Sequence, residues 1–154
     1  MTREHICDTL HAIGDAIYPD KYKAVATPPI PIFRRILSSA DVSNIVHEYD
    51  YKFYQKHDKR YTELTFESMQ SFLEFDNVSD ETYVAEYHDC DNFAIELAGH
   101  ASEWAGNIPF GIVYLKTHAI NCFISDGVLY FVEPQSDNVY TVLGENQEIH
   151  LIVL

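Results

Sequence analysis

A chain of 154 residues is about the length of one domain, and its 47% hydrophobic and 22% charged residues exclude disorder and coiled coil. No apolar run approaches the roughly 20 residues of a membrane span, and Met1-Thr2-Arg3-Glu4-His5 opens no secretory signal, so a cytoplasmic protein without a membrane partner is expected. Ten Lys and Arg against 24 Asp and Glu give a net charge of −14, which repels phosphate backbones and argues against nucleic acid as a partner.

The charge is uneven. Residues 1–77 hold twelve acids and nine bases, a balance of −3; residues 78–154 hold twelve acids and Lys116 alone, a balance of −11. That half suits a cationic substrate or a metal ion, or serves solubility. The three cysteines Cys7, Cys90 and Cys122 include no CxxC spacing. Their odd number fits free thiols in a reducing compartment and not a disulfide framework.

Along the chain, Ile6, Leu10, Ile13 and Ile17 repeat at helical spacing, so residues 3–18 read as an amphipathic helix that Pro19 ends. Thr27-Pro28-Pro29-Ile30-Pro31 is a stiff connector. Residues 32–37 read as a short helix, and Asp41 as the cap of another that reaches Tyr54. Lys52 to Arg60 holds four of the ten bases and reads as a solvated helix face or loop, or a contact for an acidic partner. Thr65 caps a helix of about ten residues with Met69, Phe72 and Leu73 turned inward, and Asp76 to Thr82 is a polar turn.

The pattern then sharpens. Phe93, Ala94, Leu97, Ala98, Ala101 and Trp104 form one helical stripe over Cys90 to Trp104, capped near Asp89 and closed by Gly106 and Pro109. Beyond it the period falls to two, with strands expected at 110–116, 118–125, 128–133, 138–143 and 148–153. The whole is expected to be one α+β domain over 1–154, with helices to about 106 and an antiparallel sheet over about 107–154.

Cys90 opens its helix, where unpaired backbone N–H groups and the helix dipole favour the nucleophilic thiolate. If Asp126-Gly127 is a two-residue hairpin loop, Ser125 opposes Val128, and His118 falls opposite Gln135 and diagonal to Glu133. His118 and Glu133 then sit at one end of an apolar face made by Ile120, Cys122, Ile124, Leu129 and Phe131. Glu133 accepting an imidazole N–H satisfies both groups and fixes the tautomer. With the helix start laid over that rim the set becomes Cys90 as nucleophile, His118 as base and Glu133 as orienting acid. The competing reading is a hydrogen-bonded His–Glu pair in the core and an unrelated cysteine. His88 lies two residues from Cys90, but the paired spacings of a Cys/His zinc site are absent.

Tyr87-His88-Asp89-Cys90-Asp91-Asn92-Phe93-Ala94, Thr117-His118-Ala119-Ile120-Asn121 and Val132-Glu133-Pro134-Gln135 resemble, in that order, the papain-like cysteine-protease domain of the fairy-ring mushroom agglutinin and related small phage and bacterial proteins. The likeness covers about residues 83–136. It implies a papain-like fold with a long helix starting at the nucleophile. It also implies a cysteine peptidase using Cys90, His118 and Glu133 on a peptide or protein substrate. The same triad performs deamidation and acyl transfer. A papain-like enzyme carries Gln six or seven residues before the cysteine; here Val84 and Tyr83 stand there. The oxyanion donors would then be the Cys90 N–H with Tyr87, His88 or Gln70, or else the chain is an inactive module that binds a protein partner. The resemblance also implies calcium, and Asp89 and Asp91 flank the nucleophile where a cation would offset their charge. As plain structure, the two are a helix cap and a first-turn acid. They also admit a third role, a metal-binding accessory protein.

Overall fold

The structure, a computed structural model, describes residues 27–145 and 147–154. The expected helix over 3–18 and Cys7 lie outside the described residues.

Residues 27–32 form no regular element, as the prolines require. Strand β1 (Phe33–Ser38) follows, then helix α1 (Ser39–Val46), β2 (Tyr51–Gln55) and β3 (Arg60–Leu64). Helix α2 (Phe66–Phe75) and a 3-10 turn (Val78–Asp80) lead to α3 (Cys90–Ala105). The chain ends in β4 (Phe110–Leu115), β5 (Ala119–Ser125), β6 (Val128–Glu133), β7 (Asn138–Tyr140) and β8 (Ile149–Val153).

Several expectations need correction. Residues 32–37 are not helix: β1 pairs antiparallel with β3, Ile36 against Thr62 and Leu37 against Tyr61. The helix placed from Asp41 to Tyr54 is short. Ser38 is its cap, in a box with Asp41, and it stops at Val46, freeing Tyr51–Gln55 to pair with β8. The basic stretch from Lys52 accordingly lies on β2, a loop and the start of β3, with Lys52 Nζ 2.9 Å from Glu148. The division into helices before about 106 and strands after it therefore fails. Among the described residues there are eight strands in two sheets and three α-helices, and three of the strands precede α2. The larger sheet, in the order β2-β8-β4-β5-β6-β7, is mixed, because β2 runs parallel to β8. The papain-like plan of helices packed on an antiparallel sheet is not what this chain builds.

The hairpin register is the one the turn dictates. Ser125 pairs with Val128 and Asn121 with Val132, with Asp126 (φ 54) and Gly127 (φ 74) both left-handed, as a two-residue turn of this hand needs. Gly111 is required on β4, since a Cβ there would sit 1.9 Å from the Val153 carbonyl oxygen.

Two cores form, one on each face of the larger sheet. On one face Val42 and Val46 of α1, with Leu37 and Tyr61, meet Ile120, Cys122, Ile124, Leu129 and Phe131. On the other, Met69, Phe72 and Leu73 of α2 and Phe93, Leu97 and Ala101 of α3 meet Phe123 and Val132. Each fully buried Phe or Leu contributes roughly 1.5–3 kcal/mol. The two faces together therefore outweigh the local preferences that suggested helix at β1.

Candidate functional site

Cys90 is the first residue of α3, after the N-cap Asp89, whose backbone N–H donates to Asn92 Oδ1 at 3.1 Å. Its thiol is free and half-buried. Asp91 lies in the first turn, and its carboxyl is pushed above the usual range because Asp89 shares a hydrogen bond with it, with some desolvation and the neighbouring charge adding.

Asn121 fixes where α3 lies. Its wholly buried amide donates to the Ala94 carbonyl at 2.8 Å and the Gly111 carbonyl at 3.1 Å. Further on, Ile124 N donates to Pro109 O at 3.0 Å, just after α3 has ended. The helix therefore runs alongside β5 in the same direction. Cys90, one turn before Ala94, lies toward the end of the sheet from which His118 enters β5 and Glu133 leaves β6.

At that end His118 Nε2 is 2.7 Å from Glu133 Oε2, both half-buried. This leaves His118 Nδ1 as the ring nitrogen able to take a proton. The other Glu133 oxygen accepts the Gln135 backbone N–H at 3.3 Å. Tyr140, which sequence reasoning missed, lies close by. Burial pushes its phenol up, and the charge of Glu133 adds to the effect. It is legible only once β7 is known to pair Tyr140 with Phe131.

The structure thus unites His118 with Glu133 and brings Cys90 to the same end of the molecule. Among the described residues no hydrogen bond joins Cys90 to His118. The layer expected beneath the site also needs correction. The face of Ile120, Cys122, Ile124, Leu129 and Phe131 is covered by α1, while α3 covers the opposite face through Phe123 and Val132. His118 precedes β5, in the bend after Lys116, so strand alternation does not fix its side.

Of the suggested oxyanion donors, Tyr87 is 83% exposed and Gln70 is exposed on α2. His88 is set against Glu81, 2.8 Å from its carboxylate, and against the Phe93 ring. A separate hollow of about 850 Å³ lies between α2 and α3, lined by Pro28, Phe72, Phe75, Asp76, His100 and Trp104 among others. Trp104 stacks on Phe72 and its indole N–H donates to the Pro29 carbonyl at 2.6 Å. Among the described residues no helix is long and apolar enough to cross a membrane.

No protein-family model matches the chain, and no curated protein does. Solved structures do. One, described as "PSL1a-E64 complex", aligns with a TM-score of 0.67 at 20% identity over 77% of this chain and 51% of its own. Another is Polyporus squamosus lectin bound to the human-type influenza-binding epitope Neu5Aca2-6Galb1-4GlcNAc. It aligns with a TM-score of 0.63 at 19% identity over 77% of this chain and 49% of its own. The chain spans about half the length of either, and at such identity the likeness is one of fold. These neighbours carry the name of a lectin. That finding overturns the identification with the papain-like cysteine-protease family. The hydrolase activity, its deamidase and acyl-transfer variants, the inactive protein-binding module and the peptide or protein substrate are corrected with it.

Proposed function

We propose that this chain is a small-ligand-binding module whose working group is the Cys90 thiol, which bonds covalently to an electrophile. His118 acts as the base and Glu133 holds its ring. The observation that carries this is the 2.7 Å His118–Glu133 pair at the end of the sheet toward which α3 presents Cys90. His118 Nδ1 takes the thiol proton, and the sulfur attacks a strained carbon. With an epoxide, one S–C bond forms, one C–O bond breaks, and the imidazolium returns its proton to the alkoxide. Glu133 stabilises the imidazolium between those steps.

E64, the ligand in the description of one neighbour, is such an epoxide and serves as the test compound. Incubation of the full chain with E64, followed by mass spectrometry of the intact protein and its peptides, is expected to give one adduct on Cys90. No adduct, or equal labelling of every cysteine, overturns the reading. Calcium belongs to the same proposal. Asp89 and Asp91 flank Cys90, with the Asp91 carboxyl pushed up chiefly by its hydrogen bond to Asp89, and a hard dication held by both carboxylates would offset their charge. Adduct formation is then expected to slow when a chelator is added. The free thiols at Cys90 and Cys122 go with a cytoplasmic, reducing location.

A second reading is carried by the hollow between α2 and α3. The partly exposed rings of Phe75 and Trp104, beside the carboxylate of Glu103, suit the apolar face and hydroxyls of a sugar ring. The acidic surroundings favour a neutral saccharide over a sialylated one. Trp104 is the chain's only tryptophan, so its fluorescence reports directly. A saturable change with neutral oligosaccharides is expected; an unchanged spectrum at millimolar sugar removes this reading.

A further inference from the structure

We infer that Glu81, His88 and Glu96 form a site for a divalent transition-metal ion, zinc or manganese, that ties the segment before Cys90 to the flank of α3. One ligand atom from each lies within 4.8 Å of the other two. Glu81 directly follows the 3-10 turn. His88 closes a tight reversal in which Val84 N donates to His88 O at 2.8 Å and His88 N to Val84 O at 2.7 Å. Glu86 turns that corner at φ 62. Glu96 projects from the second turn of α3. Three separate pieces of backbone are thus fixed around one point.

The geometry at His88 is what points to an ion. Its ring rests against Phe93, with centroids 4.5 Å apart, so the imidazole is held in one place. Nε2 is shut off from solvent yet lacks a hydrogen-bond partner, although Glu81 Oε2 is only 2.8 Å away. The two atoms are close but their lone pairs and protons are misaligned. Two ligands that face a third point between them show this arrangement. Zinc, with bonds of about 2.0–2.2 Å, holds neighbouring donor atoms roughly 3–4 Å apart, so small side-chain shifts complete the site.

An outer layer is also present. His100 Nε2 lies 4.0 Å from Glu96 Oε1, and His100 Nδ1 lies 2.7 Å from Asp76 Oδ2. His100, held by Asp76, is within ion-pair range of Glu96 but not in hydrogen-bond contact with it, so it biases the position of that carboxylate electrostatically. One imidazole and two carboxylates with no sulfur suit zinc or manganese. Calcium and magnesium take oxygen ligands and gain little from an imidazole. Three protein ligands leave room for water. The competing account is a protonated His88 bridging two glutamates, which binds no ion.

The test uses the full chain with zinc by calorimetry and cobalt(II) by visible absorption. One zinc site is expected that His88→Gln and Glu96→Gln each weaken by about 100-fold or more, and that Asp76→Asn weakens by roughly tenfold. Cys90→Ser and His150→Gln should leave it within about twofold. Cobalt should show a spectrum without a sulfur charge-transfer band. Glu96 is half-exposed on a long helix, so Glu96→Gln folds even if His88→Gln does not, and circular dichroism checks both. Zinc affinity unchanged in Glu96→Gln, the absence of any zinc site, or a sulfur band that Cys90→Ser abolishes would each overturn the assignment.

Discussion

Cys90 and Cys122 are the same chemical group in two settings. Cys122 sits mid-strand on β5, wholly buried among Ile120, Ile124 and Phe131 on the face that α1 covers. Burial pushes its thiol up to about 12, because no solvent or cation compensates a buried thiolate. Cys90 opens α3, half-buried, where the first-turn N–H groups have no partners within the helix. The difference teaches that position in the layered fold, not the residue type, separates a packing cysteine from a working one. It also has a direct consequence for reactivity, the largest effect expected. At neutral pH a group that titrates near 12 is ionised at a level of about one part in 10⁵. Iodoacetamide should therefore modify Cys90 at least about 10³-fold faster than Cys122 in the native chain. Raising the pH toward 10 should leave Cys122 unreactive, since its thiol stays protonated below its own titration point. Peptide mapping after timed quenching measures both, and urea should bring the two rates together. Comparable native rates would break the comparison outright.

The second effect concerns the base. His118→Ala removes the proton acceptor from the Cys90 end and leaves Cys122 untouched. Alkylation of Cys90 should slow by about 10²-fold while Cys122 keeps its rate. A fall in neither rate would show that Cys90 reacts without His118 and would leave the His118–Glu133 pair a structural one.

The two cysteines also show what could be read from sequence. Cys90 at a helix start and Cys122 on an apolar strand face were both legible, because each rests on local patterning. The stripe of Phe93, Leu97 and Ala101 has a period of 3.6, and Asp126-Gly127 set the β5–β6 register, while His118 meets Glu133 from the bend that precedes β5. What was not legible is pairing at long range. Phe33–Ser38 becomes strand only because Arg60–Leu64 lies beside it, and Tyr51–Gln55 because Ile149–Val153, nearly a hundred residues on, accepts it in parallel. For the same reason, register showed which residues share a face but not which helix covers it. α1 over Cys122 and α3 over Phe123 are outcomes of the whole assembly. Glu81, the partner of His88, carried no signal at all beyond being acidic.

Stability gives the third contrast. Cys122→Ser places a more strongly hydrated hydroxyl in the apolar layer between β5 and α1, where the Gly111 backbone offers it a hydrogen bond but water is excluded, at a cost of about 1–3 kcal/mol. Cys90→Ser keeps a small polar group at a half-exposed helix start and should change stability by less than about 0.5 kcal/mol. Urea unfolding of the two variants measures both. A Cys90→Ser penalty equal to that of Cys122→Ser would mean that both thiols serve packing.

The smallest expected effect isolates the charge of Glu133 from its geometry. In Glu133→Gln the side-chain carbonyl still accepts the His118 Nε2 proton, so the ring keeps its orientation and Nδ1 remains the nitrogen left to act as base. What is lost is the negative charge that stabilises the imidazolium. Alkylation of Cys90 should slow by about tenfold, less than in His118→Ala, while Cys122 again serves as the internal reference. Tyr140 supplies a readout independent of sulfur. Burial and the Glu133 charge both hold its phenol above the ordinary range. Removing the charge takes away one of the two causes, so phenolate forms more readily and Tyr140 should titrate at lower pH in the variant. Ultraviolet absorbance of the phenolate follows this directly. A Tyr140 shift with unchanged Cys90 alkylation would place Glu133 beside the tyrosine but outside the chemistry of the thiol. Alkylation as slow as in His118→Ala would instead mean that the carboxylate's charge, and not only its hold on the ring, is what makes His118 a base.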